Sequence, residues 1–483
     1  MRSIPFLLFC IVFALGILLV PTIGPAWDEP DNIVAGGQYA NFFQKGFEAN
    51  ILTQTDQEAS IFGKMIYSQA PTIARYPPIP NYVGTLFALS SGANTSSEII
   101  IAFHIATVLF FALLVAFVYN MGRLLGLSLW ASLFAALVTF LYPTLFGHGL
   151  TNIKDTAQVA LFTIALYYLA KKHIVMGAAI WGLALATKFN AVYIPIIWMI
   201  SNFSFARKKL FFFLPIGLLV TFVVWPYLWY DPLPRIGEII SYFTTVGQGY
   251  KIYWDGVLYE VGVGKILWWY PWAHLLFATP LPLVILWVFG LKSAIQNPRL
   301  RLLVLWFTIP LLRAFFPHAA FYDGMRHFME ILPAGALIAA VGLEQLKSPI
   351  RWVVFAGVVS HLMFINITYF PYSTGYLNIL AQNPNERFDR DIEALSVKEA
   401  VDYLHKRYGA IALWAHIGGH LSWHYLTPPD RYAYPQDADS IILVNKSSHI
   451  RQGGPGLPIG PEFALDHVIS RGEAVFAWIY RRK

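Results

Sequence analysis

The stretch Trp27-Asp28-Glu29-Pro30-Asp31 places three carboxylates within four residues, directly after an apolar run from Ile4 to Val20. An ionised group at mid-membrane costs roughly 2.5–3.5 kcal/mol on insertion scales, so this cluster belongs at the aqueous boundary. A carboxylate held against a membrane surface is partly desolvated, and desolvation raises its pKa towards that of a general base. Asp28 and Glu29 are therefore candidate catalytic groups for removing a proton. The competing reading is a solvated loop, or a helix cap built on Asp28 or Asp31.

The 483 residues are 57% hydrophobic and only 13% charged, against a usual charged share of roughly a quarter. That composition describes a polytopic membrane protein and excludes a soluble globular enzyme. The net charge of +7 does not mark a nucleic-acid surface, because the basic residues lie in short clusters between apolar runs. Cys10, the single cysteine, sits in the first apolar run, so no intrachain disulfide can form. Arg2 ahead of that run imitates a secretory signal. No small-x-small cleavage site precedes Trp27, and an uncleaved first span is expected.

Further apolar runs at about 99–120, 128–146, 156–170, 174–187, 190–202, 210–226, 268–291, 302–316, 327–345 and 351–370 bring the total to about eleven transmembrane helices. Several are short for a bilayer about 30 Å thick, which predicts tilted or broken helices. Between the first two runs lies a large external loop, about 23–97. Gly36, Gly37, Tyr39, Phe42 and Phe43 there suggest a helix lying in the interface. Arg75-Tyr76-Pro77-Pro78-Ile79-Pro80 reads as a rigid extended turn.

The loops orient the spans. One side receives Arg2, Arg123, Lys171, Lys172, Arg207, Lys208, Lys209, Lys292, Arg299, Arg301, Lys347 and Arg351; the opposite short loops hold only Lys154, Lys188 and Arg326. The N-terminus is expected in the cytoplasm and the C-terminus outside, with a hairpin turning near Lys188. On the external side this topology gathers Asp28, Glu29, Arg75, His148, Lys154, Asp155, Lys188, Asp323, Arg326 and His327. Trp225, Tyr227, Trp229, Trp268, Trp269 and Trp272 crowd the same side, either as an interfacial belt or as a surface for a sugar or lipid. Asp155 and Lys188 flank apolar helices, where ionisable residues are functional by default, although a structural pair between them is the alternative.

Five motifs in this order resemble the GT-C superfamily of membrane glycosyltransferases, in the branch of protein O-mannosyltransferases and aminoarabinose transferases. They are Asp28-Glu29, Pro77-Pro78, Asp155 in the segment beginning Gly147-His148, Gly182-Leu183-Ala184-Leu185-Ala186-Thr187-Lys188, and Tyr322-Asp323-Gly324-Met325-Arg326-His327 followed by Pro333. The resemblance covers roughly residues 1–370. Where the mannosyltransferases place His before the Pro-Pro pair and Lys after it, this chain has Tyr76 and Asn81. The resemblance implies an inverting transfer of a sugar from a polyprenyl-phosphate donor to an acceptor hydroxyl or phosphate, at the external face of what is expected to be a bacterial inner membrane. It assigns catalysis to Asp28, Glu29 and Asp155 and the donor phosphate to Lys188, Arg326 and Arg75. His148, Lys154, Asp323 and His327 remain for acceptor or sugar contacts. No cofactor is required if the cations neutralise the phosphate, and a divalent cation between Asp28 and Asp155 is the alternative. The acceptor, whether glycan, lipid or protein, is open. A transporter or lipid flippase is the rival class, but no internal repeat is present to support it.

Residues 371–483 are expected to form a small external α/β domain. Val397, Ala400, Val401 and Leu404 share one face of a helix over Ser396–Tyr408, and Ile411–Ala415, Ile441–Val444 and Val475–Ile479 read as strands. His416, His420 and His424 would share a helix face, with zinc as the sharper reading and an ordinary helix face as the plainer one.

Overall fold

The computed structural model describes residues 3–54, 57–68, 75–450 and 459–483; Arg2, expected on the cytoplasmic side, lies outside them. The first apolar run forms α1 (Ser3–Leu19). Its outer face leaves Phe6, Leu7, Ile11 and Leu18 exposed, as lipid-facing residues are. Pro21 lacks a backbone donor, and the helix ends in a short turn at Val20–Thr22. The chain re-enters helix at α2 (Glu29–Gln44), with Pro30 in the first turn, where its missing N–H is no loss.

This second helix corrects the expectation of an interfacial helix. Most of it is buried against α3 (Ile79–Ser91) and the loop around Ser60. A Cβ on Gly36 would lie 2.2 Å from Thr85 Oγ1, and one on Gly37 2.2 Å from Ser60 Oγ. The glycines serve close packing, which a sequence pattern shared with surface helices does not reveal.

The longest helix, α4 (Ser96–Leu124), opens on a capping box in which Thr95 Oγ1 accepts the Glu98 N–H and the Glu98 carboxylate accepts the Thr95 N–H. Next come α5 (Leu129–Leu141), α6 (Pro143–Thr151) and α7 (Ile153–Ala170). All three pack on α4, as do α1 and α3. Pro143 breaks the run expected at 128–146, bending α5 and α6 by 60°. The chain continues as α8 (Ile174–Leu185), α9 (Tyr193–Ser201), α10 (Phe203–Val224) and α11 (Pro232–Thr245). Lys188 is extended in the break between α8 and α9. A hairpin of β1 (Lys251–Trp254) and β2 (Val257–Glu260) precedes α12 (Tyr270–Ala278), α13 (Leu281–Gln296), α14 (Arg301–Thr308), α15 (Leu332–Glu344) and α16 (Ser348–Tyr369).

Each apolar run is helical at least in part. By length and composition, four of the described helices can cross a membrane alone, or up to six segments if each of two bent pairs counts as one span. The remaining apolar helices are short or interrupted, which is the broken character expected of runs this short.

Beyond α16 come α17 (Pro384–Arg387), α18 (Ser396–Tyr408), β3 (Ala412–Ala415), α19 (Gly419–Ser422), β4 (Arg431–Tyr432), β5 (Ser440–Val444), α20 (Ser447–Ile450), β6 (Phe463–Arg471) and β7 (Ala474–Arg482). The strands form one mixed sheet in the order β4-β3-β5-β7-β6, with β3 parallel to β4 and β5 and the β5-β7-β6 half antiparallel. Val397, Ala400, Val401 and Leu404 are the buried face of α18, as their spacing requires. The histidine helix does not form. Gly418 is left-handed at φ 70°, so His416 lies between β3 and the single turn of α19, and His424 lies beyond it.

Glu29 stands at the junction of α2 and α4. Its Oε2 accepts the Ala26 N–H at 3.1 Å and meets His104 Nε2 at 2.9 Å, both side chains being buried. Removing one partner leaves the other buried and unsatisfied, at a cost of about 1–3 kcal/mol. Glu29→Ala and His104→Ala should each lower the melting temperature of the purified protein, and the double variant should lose less than the sum. Additive losses would show that the two side chains are not coupled.

Candidate active site

The site is assembled around one guanidinium. Arg326 lies in the 3-10 turn Gly324–Ile331, entered through Asp323 at φ 53° and Gly324 at φ 68°. Aspartate and glycine tolerate this left-handed entry, which larger residues resist. The Arg326 side chain is only 3% exposed and meets four carboxylates. Its Nη2 donates to Asp28 Oδ2, its Nε lies 3.2 Å from Asp155 Oδ2, and its Nη1 lies 3.4 Å from both Asp323 Oδ2 and Glu393 Oε1.

Three lysines complete the balance. Lys154 Nζ is 3.5 Å from Asp28 Oδ2, Lys188 Nζ is 2.5 Å from Asp155 Oδ1, and Lys446 Nζ is 2.8 Å from Asp323 Oδ1. Four cations thus face four carboxylates, which is what allows so many charges to leave water together.

Local structure aims each group. Asp28 occupies the cap position of α2 yet makes no side-chain cap bond, so its carboxylate turns to Arg326 instead. The helix-cap reading of Asp28 is thereby set aside. Asp155 sits in the first turn of α7, where the helix dipole favours an anion. Asn152 locks it in place, accepting the Asp155 N–H at 3.1 Å and donating Nδ2 to Asp155 Oδ2 at 2.9 Å.

Of the residues singled out in the sequence, Asp28, Lys154, Asp155, Lys188, Asp323 and Arg326 come together in this cluster. His148 joins at its edge, with Nδ1 3.8 Å from Glu393 Oε1. Arg75 stands one aromatic layer away: it lies over the Tyr242 ring at 4.9 Å, Tyr242 bonds to Tyr76, and Tyr76 in turn lies under Lys154. His327 packs its ring against Tyr322 at 4.5 Å. Glu29 is paired with His104.

Glu393 and Lys446 come from the C-terminal region, and no sequence signal marked them. Glu393 lies in a stretch whose polar composition resembles any loop, and Lys446 follows a strand as a lone charge. The fold specifies both. Asp391 accepts the N–H groups of Leu395 and Ser396 at the start of α18, and Lys446 Nζ donates to the Ile392 carbonyl at 3.0 Å. These bonds fix the Glu393 loop within the C-terminal region, and the Lys446–Asp323 pair ties it to the turn that carries Arg326.

The electrostatics of Asp28 reverse the sequence expectation. Burial pushes its pKa up, but Arg326 and Lys154 outweigh burial and hold the carboxyl at about 2. The elevated value belongs to Glu393: burial raises it, Arg326 only partly opposes, Asp323 and Asp28 add to the rise, and it reaches about 7. The expectation failed because desolvation was considered without the arginine, which lies 298 residues away in the chain. Among the described residues, no three His, Cys, Asp or Glu side chains are grouped to hold a metal ion.

No protein-family model matches the chain, and no curated protein matches it in sequence. Solved structures do match. ArnT from Cupriavidus metallidurans bound to undecaprenyl phosphate aligns over 99% of this chain and 98% of its own, at 13% identity and a TM-score of 0.51. The apo form of the same protein aligns over 98% and 97%, at 12% identity and a TM-score of 0.52. The archaeal oligosaccharyltransferase AglB from Archaeoglobus fulgidus, in complex with an inhibitory peptide and a dolichol-phosphate, aligns over 92% of this chain and 69% of its own, at 10% identity and a TM-score of 0.51. At these identities the likeness is one of fold. The chain shares the largely helical fold of ArnT and AglB, and by length and composition four of its described helices can cross a membrane.

Proposed function

We propose that the protein is an inverting glycosyltransferase that moves a sugar from a polyprenyl-phosphate donor to an acceptor at the external face of the membrane. The observation that carries this reading is the unequal exposure of the four carboxylates on Arg326. The Asp28 side chain is 30% exposed, whereas Asp155 and Glu393 are 1% exposed and Asp323 8%. A buried set of charges thus presents one reactive carboxylate to an incoming group. Undecaprenyl phosphate in ArnT and dolichol-phosphate in AglB support a polyprenyl donor.

In this reading the acceptor oxygen attacks the anomeric carbon while the bond from that carbon to the phosphate oxygen breaks. Asp28 takes the acceptor's proton, and the lipid phosphate leaves with the electron pair. Lys154, Lys188 and Arg326 stabilise the charge that builds on the leaving oxygen in this reading, which their clustering around Asp28 and Asp155 supports. With those cations supplying the neutralisation, the reaction needs no metal. A carboxylate held at about 2 is a weak base. When the donor phosphate draws Lys154 and Arg326 towards itself, Asp28 loses the charges that hold its pKa down, and its basicity rises with the donor bound. Glu393, near neutrality in its protonation, offsets the added negative charge by keeping a proton.

Three outcomes follow. Asp28→Asn keeps the shape but accepts no proton, so turnover with a hydroxyl acceptor should fall roughly 100- to 10,000-fold, read as release of polyprenyl phosphate. Near-normal turnover would remove Asp28 from the mechanism.

The second outcome is a pH dependence set by Glu393. Below about 7 it is neutral, and above that value its carboxylate competes with the donor phosphate for Arg326. The KM for the donor should therefore rise as pH passes upward through about 7, since the phosphodiester itself does not titrate there. Glu393→Gln should abolish this limb, and persistence of the limb in that variant would assign it to another group. The same raised pKa means that the folded protein holds the Glu393 proton more tightly than the unfolded chain, so this residue lowers stability as pH rises from 4.5, its ordinary value, through 7.

The third outcome is orientation. In a background lacking Cys10, cysteines replacing Ser241 and Gln436 should react with an impermeant reagent from outside, and those replacing Lys172 and Lys208 should not. Labelling at 208 from outside would reverse the assignment of sides.

A further inference from the structure

Next to the charged cluster lies a cleft that the transfer chemistry does not use. It is a cavity of about 410 Å³ between the first external loop and the C-terminal sheet domain, within the usual range of roughly 300–1,000 Å³ for small-molecule sites. Trp27 and Tyr67 form one wall, and Trp423, Tyr432, His416 and His420 form the other. Trp423 is 46% exposed and Tyr67 38%, and their ring centroids lie 4.5 Å apart, which makes a broad aromatic face open to solvent.

The polar groups of the cleft are of one kind. Among the described residues, no Asp, Glu, Lys or Arg lines it. Its hydrogen-bonding side chains are three histidines, two tyrosines and two tryptophans, and burial pushes His416 and His449 down to about 4 and His420 below its ordinary value. These rings are neutral at physiological pH, so each offers one donor and one acceptor. Among the described residues, both ring nitrogens of His416 and Nδ1 of His420 have no partner. These nitrogens therefore have hydrogen-bonding capacity that nothing in the described chain uses.

The cleft is joined to the reactive carboxylate through the backbone. His420 Nε2 donates to the Trp27 carbonyl at 3.1 Å, His449 packs its ring 5.9 Å from that of Trp27, and Asp28 is the next residue along the chain. An aromatic platform with uncharged donors and acceptors fits a sugar ring, whose C–H face stacks on indole and phenol while its hydroxyls bond to imidazole. Lys446, which lies over the far wall at Trp27, is already paired with Asp323, so a charged headgroup or an acidic peptide would find no free counter-charge among the described lining residues.

We propose that this cleft is the acceptor subsite and that it takes a neutral carbohydrate, stacked on the aromatic face that Tyr67 and Trp423 form together, with a hydroxyl directed to Asp28. The proposal rests on the glycosyltransferase reading for the fate of the sugar, but its binding test does not require turnover. Titration calorimetry of the full-length protein with neutral tetrasaccharides of glucose, mannose, galactose and N-acetylglucosamine should give saturable binding for at least one of them. Trp423→Ala should weaken that binding tenfold or more, while Trp423→Phe, which keeps a stacking ring, should stay within a fewfold of the original. Absence of saturation into the millimolar range for all four sugars would overturn the proposal. So would unchanged binding in Trp423→Ala, or binding of an uncharged aromatic tetrapeptide in their place. Failure of the transferase reading is read separately, as no lipid phosphate released from any polyprenyl-phosphate sugar.

Discussion

A guanidinium buried at 3% exposure cannot be left without anions, and the structure around Arg326 follows from that constraint. Removing such a charge from water costs several kcal/mol even after relaxation, so each carboxylate that meets it is recruited from a different part of the chain. Asp28 comes from the end of the first loop's entry, Asp155 from the start of α7, Asp323 from the turn beside it, and Glu393 from beyond the last membrane helix. The planar fork of arginine suits this role, because its nitrogens diverge and can serve separate partners. Lysine could not replace it without stranding several carboxylates.

The same requirement explains why the C-terminal region is more than an appendage. Lys446 neutralises Asp323 and also lies 5.3 Å over the Trp27 ring, so it touches both the charged cluster and the aromatic wall beside it. The loop that carries Glu393 is held by backbone bonds to Asn445, which accepts from the Arg390 and Asp391 N–H groups. Membrane helices and sheet domain therefore share one polar centre. A loss on either side leaves buried charge on the other.

What the sequence disclosed was local or patterned. The helix over Ser396–Tyr408 and the apolar runs were legible because periodicity and hydropathy are set by neighbours a few residues apart. Asp28, Asp155, Lys188 and Arg326 were legible because charges beside apolar runs are costly and so stand out. The protonation of Asp28 was not legible, since it depends on an arginine met only in the folded chain. Glu393 and Lys446 escaped notice because nothing apolar sets them off. The buried course of α2 and the broken helix at His416–His424 turned on glycines, whose role as packing contact or left-handed turn is decided by what approaches them. The two-residue strand β4 and the nine-residue strand β6 were missed for a related reason: partner strands, not composition, hold them in the sheet.

The spacing of the charge pairs along the chain sets a schedule for biosynthesis. Lys188 follows Asp155 by 33 residues, so at roughly 5–20 residues per second the buried aspartate gains its lysine within about 2–7 s. Arg326 follows Asp28 by 298 residues, a delay of roughly 15–60 s on the same clock. The aspartate that must wait lies beyond the end of the first apolar helix, where water can solvate it. The aspartate at the mouth of a helix packed on all sides has its counter-ion in the very next hairpin, and the nascent protein is spared a long interval with that charge uncompensated.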